Sequence, residues 1–491
     1  MLSDRVRTPS PRLKRTLLAG VVFFLLGVIG AAVAYVWSPP AASAASAEVS
    51  VSTTAAPSAV VADRVRRIQA EHTPLDFRQR LVSFLGLLVL LGLCWVFSNN
   101  RSKVNWRLVA WGMALQFVFA LIVLKTAPGM WVFARLNDAV NALLGFTREG
   151  TTFLFRSYLT GRVESPLVNF TFDVLPTIVF FSSLMTVLYH VGVMQVIVKI
   201  FAVAMQRTMK TSGAETLSTS ANIFVGQTEA PLVVKPFVAD MTMSELMAVM
   251  VGGFANTAGG VLAAYVGMLR DVFPDIAGHL IAQSVMSAPA ALVCAKIIFP
   301  ETETPRTTGN TKMSVEKIDA NALDAAARGA TEGLQLAFNV AAMLLAFIAL
   351  IGMLNAGLRA LGGWTGMPSL SLELLFGYAG WPLAWVMGVP TADCFIIGKL
   401  IGVKTVVNEF VAYLQLADLL KNGVPLSYRS VVIASYALSG FANFSSIAIQ
   451  IGGISAIAPS RRHDLAKLGL RAMFVGAIAT FTTATIAGLL L

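Results

Sequence analysis

Residues 81–491 of this 491-residue chain alternate between long apolar stretches and short polar or basic runs. Eight stretches read as membrane spans, at about 81–98, 106–127, 170–200, 244–269, 276–299, 332–361, 429–456 and 469–491. Each is near or above the ~20 residues that cross the hydrocarbon core. Two further stretches, 212–240 and 383–420, are interrupted by polar side chains. They read as re-entrant hairpins, because irregular backbone at membrane depth is tolerated only where it is buried in protein or lines a cavity. Residues 130–146 place Trp131, Val132, Phe133, Leu136, Val140, Leu143 and Leu144 at helical spacing and suit an interfacial helix.

The order of these pieces repeats. Span 170–200, hairpin 212–240 and spans 244–269 and 276–299 are followed by span 332–361, hairpin 383–420 and spans 429–456 and 469–491. Three full spans is an odd number, so the second unit runs upside down relative to the first. The expected fold is an all-α polytopic membrane protein with inverted repeats and two re-entrant helical hairpins. Its parts are the N-terminal spans and interfacial helices at 81–165, a first repeat at 166–300, a cytoplasmic loop at 301–328 and a second repeat at 329–491. Matched interrupted segments in two halves point to a solute site near the bilayer midplane.

Composition agrees: 56% of residues are hydrophobic and 13% charged, against about 25% charged in soluble proteins. The net charge of +11 is better explained by positive cytoplasmic loops than by nucleic-acid binding. Those loops carry Arg101, Lys103 and Arg107; Lys199, Arg207 and Lys210; Arg306, Lys312, Lys317 and Arg328; and Arg461, Arg462, Lys467 and Arg471. With all four inside, the hairpins enter from opposite faces and the C-terminus lies outside an inner membrane. The basic excess at 128–165 is nominally outside and is assigned to interfacial helices. Residues 1–47 read as a signal peptide or N-terminal anchor, with Ala45-Ser46-Ala47 favouring cleavage, and 48–80 as a periplasmic linker. Cys94, Cys294 and Cys394 stand alone, so neither a disulfide framework nor a zinc site is expected.

Polar residues inside apolar segments carry the chemistry. Gly253-Phe254-Ala255-Asn256 recurs as Gly440-Phe441-Ala442-Asn443. Gly226-Gln227-Thr228-Glu229-Ala230-Pro231 suits a hairpin tip, with Ala230-Pro231 opening the returning half. Gln227, Thr228 and Glu229 offer donors, a hydroxyl and a charged acceptor, an inventory for a polar, mostly uncharged ligand. Glu409 follows Asn408 at the second tip and needs a partner: ligand hydroxyls, a coupling cation, or Lys404. Asn443, Ser445 and Ser446 beside Phe441 and Phe444 make a surface that grips a sugar edge or a planar ring. Asn222, the Val225 carbonyl, Asn256 and Thr257 form a neutral oxygen set, suited equally to coordinating Na⁺ and to capping a broken helix. Asp393 and Glu332 read as structurally paired acids.

These motifs resemble the concentrative nucleoside transporter family. The resemblance rests on the run from Leu175-Pro176-Thr177 to Ser182-Ser183-Leu184, on Gly226 to Pro231, on Ser287-Ala288-Pro289-Ala290, on Asn321 to Gly329, on Asn408-Glu409-Phe410-Val411-Ala412-Tyr413 and on Gly440 to Ser446. It covers roughly residues 80–491. It implies a homotrimer of eight-span protomers importing nucleosides in symport with Na⁺, or with H⁺ in some members. Gln227, Thr228 and Glu229 would then address the base, with Val261 packing on it. Glu409, Asn443 and Ser446 would hold the ribose hydroxyls beside Phe441, and Asn222, Val225, Asn256 and Thr257 would hold Na⁺. The chain departs from the family at Asn256-Thr257, where Ser or Thr followed by Ile is expected.

Two rivals were weighed. A carrier of another polar solute on the same hairpin plan needs, for a dicarboxylate, cationic side chains at the tips, and the first tip has none. An intramembrane enzyme is not expected: there is no His-Glu-x-x-His, and neither Glu229 nor Glu409 has an adjacent base or nucleophile. No cofactor beyond the coupling ion is expected.

Overall fold

The computed structural model describes residues 77–161, 163, 164, 170–307, 319–367 and 369–491. The expected leader or anchor at 1–47 and most of the linker at 48–80 lie outside these residues. Two apolar helices, α1 (Phe77–Val96) and α2 (Trp106–Lys125), lead the described chain. Thr126 closes α2 and opens α3 (Ala127–Phe155). Its hydroxyl donates to the Ile122 carbonyl at 2.7 Å and accepts from the Gly129 amide at 3.1 Å. The helix expected at 130–146 therefore runs for 29 residues.

The first repeat corrects one expectation. Residues 170–200 do not form a single straight helix. Helix α4 (Leu175–Val191) ends at Gly192, and α5 (Val193–Met209) leaves at 79°. Gly192 sits at φ 95°, where a residue without Cβ caps a helix at no steric cost. The apolar pattern runs on across it, so hydropathy does not reveal the bend. Hairpin 1 follows: α6 (Gly213–Ala221), a turn through 222–229, and a return made of the short turns Ala230–Val234 and Lys235–Val238. The span at 244–269 is broken into α7 (Met243–Ala255) and α8 (Gly259–Leu269), and α9 (Ile276–Ile298) completes the unit.

The second repeat begins earlier than expected, with the 44-residue α10 (Ala322–Thr365). Residues 322–328, read as the end of a loop, are helical because Asn321 caps them, its side chain accepting from the Leu323 and Asp324 amides. Arg328 on its first turns pairs with Glu332 at 2.7 Å and with both oxygens of Asp319 at 2.6 and 2.9 Å. That guanidinium holds the Asp319 carboxyl below the usual carboxylate range. Next comes α11 (Leu372–Val386), which had no counterpart in the expected spans. Residues 383–386 finish it, so hairpin 2 starts later than 383: it comprises α12 (Cys394–Val406) and α13 (Glu409–Lys421). Gly380 of α11 lies against Gly398 of α12 so closely that an added Cβ would meet the Gly398 carbonyl oxygen at 2.3 Å. The span at 429–456 is broken into α14 (Tyr428–Leu438) and α15 (Phe444–Ile457), and α16 (Arg462–Leu490) closes the chain.

Among the described residues, six helices are long and apolar enough to cross a membrane, seven if α4 and α5 count as one. The remaining expected span is the α14–α15 pair. Within its apolar window α9 is 94% buried, whereas α10 is 17% and α1 and α2 each 28% buried. The repeats thus pack around α9, while α1, α2 and α10 present apolar faces outward.

The four basic loops meet at one end. The Asn99 amide donates to the Ile298 carbonyl at 2.9 Å, Arg471 donates to Asn99, and the Gly213 amide donates to the Thr307 carbonyl at 2.9 Å. Arg461 donates to the Ala239 carbonyl at 3.1 Å and to that of Met241. At the other end of α1, Ser83 accepts from Arg429, whose guanidinium also donates to the Gly388 carbonyl at 2.8 Å. Ser83 and Asn99 are roughly 24 Å apart along a helical rise. Hairpin 1 opens toward one end and hairpin 2 toward the other.

Candidate functional site

The first arm of hairpin 1 is rich in hydroxyl side chains. Ser212 caps α6 with Glu215 in a reciprocal capping box. The hydroxyls of Thr216, Thr219 and Ser220 donate back to the carbonyls of Ser212, Glu215 and Thr216 at 2.6–2.8 Å. The arm thus satisfies these three hydroxyls within itself and stays buried. Beyond Ala221 the helix gives way to a turn, in which the Gly226 carbonyl accepts the amides of Glu229 and Ala230 and the Glu229 carboxylate accepts the Gly226 amide at 3.2 Å. This turn lies on the break between α7 and α8, where the Gly259 amide donates to the Phe224 carbonyl at 3.0 Å.

Hairpin 2 turns in two residues. The Asn408 side chain accepts the Val411 amide at 2.9 Å and starts α13, which places Glu409 in its first turn. A carboxylate there is favoured by the positive end of the helix dipole. Glu409 accepts from the Tyr265 hydroxyl of α8 at 3.2 Å and from the Asn443 amide at 2.7 Å. Tyr265 is fixed by stacking on Tyr413, ring centroids 4.2 Å apart. Asn443 caps α15, its oxygen accepting the Ser446 amide at 2.9 Å and the Ser445 hydroxyl at 2.7 Å.

The two tips join through α15. Gln227 donates to the Ser446 hydroxyl at 3.3 Å, and Gln450 donates to the Gln227 carbonyl oxygen at 3.1 Å. A continuous hydrogen-bonded chain runs Gln450, Gln227, Ser446, Asn443, Glu409, Tyr265. It crosses both hairpins and both broken helices. Thr228 lies with its methyl against Gly453, where an added Cβ would meet it at 2.5 Å. Glu229 is exposed, Phe441 half-buried and Val261 buried on α8. The chain presents amides, hydroxyls and one carboxylate, suited to a neutral ligand with both donors and acceptors.

The neutral oxygen set is only partly free. Asn222, Asn256 and Thr257 are each 1% exposed. Asn256 donates to the Gly252 carbonyl at 3.2 Å, and its oxygen accepts the Ser287 hydroxyl. Ser439 donates to Gln283 at 2.7 Å, so Thr257 donates to Ser439 at 2.8 Å while accepting the Gly440 amide at 2.9 Å. One lone pair of Thr257 remains. Asn222 keeps one end of its amide without a partner, and either end of an amide can be turned inward as oxygen. A cation here would draw on Asn222 and backbone carbonyls of the two breaks, with little from the Asn256 side chain.

Three family models match in series. That described as the Na⁺ dependent nucleoside transporter N-terminus covers residues 85–158, that described as nucleoside recognition covers 171–271, and that described as the Na⁺ dependent nucleoside transporter C-terminus covers 279–488. An uncharacterized transporter of Haemophilus influenzae is 44% identical over 83% of this chain and 97% of its own length. The chain belongs to the concentrative nucleoside transporter family. Solute carrier family 28 member 3 of Eptatretus stoutii is 43% identical over 84% of this chain, and sodium/nucleoside cotransporter 1 of Homo sapiens 41% identical over 85%. The chain spans about 60% of the former's length and 65% of the latter's. A solved structure of CNTnw in an inward-facing substrate-bound state superposes with TM-score 0.77 at 43% identity, covering 84% of this chain and 97% of that one. A CNTnw variant in an outward-facing state gives 0.79 at 42%, covering 84% and 98%.

Within this concentrative transporter fold, four of the eight expected ligand residues belong to the polar chain: Gln227, Glu409, Asn443 and Ser446. Tyr265 and Gln450 were missed. Each is a lone polar residue in an apolar helix with its partner 144 or 223 residues away, and no local pattern announces that. Lys404 does not pair with Glu409; it is held by backbone oxygens instead. The repeated Gly-Phe-Ala-Asn motif differs in conformation. Gly253 to Ala255 lie in α7, whereas Gly440 has φ 96° and lies beyond α14.

Proposed function

We propose that this chain is a Na⁺-coupled nucleoside symporter that imports nucleosides across an inner membrane by alternating access. The observation that carries the reading is the polar chain from Gln450 to Tyr265, which joins both hairpin tips to both broken helices. Gln227, Thr228 and Glu229 recognise the base, with Val261 packing on its face. Glu409, Asn443 and Ser446 take the ribose hydroxyls beside Phe441. Na⁺ is held by Asn222, the Val225 carbonyl and the Asn256–Thr257 break, and supplies the gradient that drives uptake. Asn222 supports this assignment with its unpartnered amide end. No other cofactor is required.

The basic end is cytoplasmic by the positive-inside rule, which leaves the C-terminus outside. The outward apolar faces of α1, α2 and α10 contact lipid and two further copies in a homotrimer. Transport proceeds by elevator-like movement of the hairpin-bearing unit, as the inward- and outward-facing states of CNTnw suggest for a shared fold. The test is uptake of radiolabelled uridine and adenosine into proteoliposomes with and without a Na⁺ gradient. Na⁺-dependent accumulation of either supports the reading. Full uptake in Na⁺-free buffer driven by a pH gradient alone replaces Na⁺ with H⁺.

A further inference from the structure

Lys404 ends the first arm of hairpin 2 and is fully buried. A lysine at membrane depth ordinarily snorkels to the interface or pairs with an acid. This one does neither. Its ammonium donates to the carbonyls of Ala437 and Ser439 at 2.7 and 3.1 Å and to the Thr480 hydroxyl at 3.2 Å, with the Phe481 ring centroid 5.6 Å away. Both carbonyls are freed where α14 stops short of Gly440. Glu409, across the tip, bonds to Tyr265 and Asn443 instead of to Lys404. A positive charge caged by neutral oxygens at an unwound helix is the coordination an alkali cation asks for.

The first repeat has the same place, where the end of α6 meets the last turn of α7. It holds Asn222, whose amide nitrogen lies 3.4 Å from where a Cβ on Gly252 would stand and has no partner. The last-turn carbonyls of α7 at Met250 and Gly252 are met by the amides of Gln450 and Asn256. No fixed charge enters there. We propose that the Lys404 ammonium is a tethered cation, taking in the second repeat the place that a diffusible cation takes in the first. It balances Glu409 and clamps α12 to the broken end of α14, so only the first repeat draws an ion from solution. This rests on the reading of Asn222 and its neighbours as the Na⁺ site. Lys404 is a positioning residue, acting on the nucleoside only through Glu409 and the hairpin.

The experiment compares the full chain with Lys404→Ala and Lys404→Met in proteoliposomes, reading labelled Na⁺ and uridine fluxes together. Wild type should move one Na⁺ per uridine with a Na⁺ activation slope near one. Lys404→Ala should lose about tenfold or more of its uptake at low Na⁺, the scale of a hydrogen-bonded charge. High Na⁺ should restore it with a slope rising toward two, and methylammonium should restore it too. Lys404→Met fills the cage without charge and should respond to neither. A wild-type Na⁺ curve in Lys404→Ala overturns the proposal, as does a folded Lys404→Ala that neither ion rescues. Two Na⁺ per uridine in wild type overturns it without any variant, which covers a Lys404→Ala that does not fold. Na⁺-independent wild-type uptake overturns the Na⁺ site and the tethered cation together. Na⁺-dependent uptake abolished by Asn222→Ala but indifferent to Lys404 sinks the tethered cation alone.

Discussion

The two hairpins solve the same problem with opposite materials. Hairpin 1 has a nine-residue arm rich in Ser, Thr and Ala, an eight-residue turn and a return of two short helical turns. Hairpin 2 is two regular helices joined across Val407 and Asn408. The open ends of both are sealed by a hydroxyl bonded to a carboxylate, but the partners are exchanged. Ser212 at the start of α6 donates to Glu245 on α7, whereas Asp393 at the start of α12 accepts from Ser430 on α14. The buried charge of hairpin 1 is the carboxylate of Glu215, paired at 2.7 Å with Lys296 of α9, which also lies 3.3 Å from Glu301. Hairpin 2 surrounds its lysine with carbonyls. A loose turn exposes many backbone and side-chain groups, which suits recognition of a base and a cation. A tight helical turn aims one carboxylate, which suits a fixed pair of hydroxyls.

The sharpest break of that contrast is Lys296→Met. It leaves Glu215, 1% exposed, as an uncompensated charge, and removing one partner of a buried pair costs about 3–5 kcal/mol. Thermal unfolding in detergent should show a large drop in stability. An unchanged melting temperature would mean that hairpin 1 does not depend on its ion pair.

Glu409→Gln comes next. It keeps the side-chain shape and removes the charged acceptor, a loss of about 1.5–3 kcal/mol, or roughly 10- to 150-fold in nucleoside affinity. Competition for uridine uptake measures it. Wild-type affinity in a folded variant would remove Glu409 from the ribose site and leave the tight turn without its assigned purpose.

What was legible in the sequence follows the same division. Hairpin 2 could be placed because Asn408-Glu409 interrupts a mainly apolar stretch. The tip of hairpin 1 was legible because Gly226 and Pro231 bracket three polar residues. Features whose causes are distant or purely conformational were not legible. The bend at Gly192 lies in mainly apolar sequence, with only His190 and Gln195 nearby as polar residues. The two Gly-Phe-Ala-Asn copies read alike, yet their glycines answer to different neighbours: a Cβ on Gly440 would meet the carbonyl oxygens of Phe254 and Ala255 at 2.8 Å, and one on Gly253 would meet the Gln450 amide nitrogen at 2.5 Å. Tyr265 and Gln450 acquire meaning only when residues far along the chain arrive beside them.

Gln450 offers a finer test of the link between the tips. Gln450→Leu removes its donations to Gln227 and to the Met250 carbonyl, both at 3.1 Å. A neutral hydrogen bond contributes about 0.5–1.5 kcal/mol, so KM should rise roughly two- to tenfold. The rise should differ between uridine and adenosine, because Gln227 is assigned to the base. Equal shifts for both nucleosides would reduce Gln450 to packing.

The smallest effect separates two arginines at the open end of hairpin 1. Arg306 pairs with Asp240 at 2.7 Å, but the side chains are 74% and 51% exposed. Arg461 is 13% exposed, pairs with Asp464 at 2.8 Å and donates to the carbonyls of Ala239 and Met241. An exposed pair is worth about 0–1 kcal/mol and is screened by salt. Arg306→Gln should therefore leave melting temperature and uptake nearly unchanged, with any residue of an effect vanishing as ionic strength rises. Arg461→Gln leaves two carbonyls at the end of the return with a weaker donor, and it should cost more at every salt concentration. Measured side by side in detergent, a larger loss for Arg306→Gln would show that hairpin 1 is held shut by its surface charge rather than by backbone satisfaction. The hairpins would then differ in how they seal as well as in how they turn.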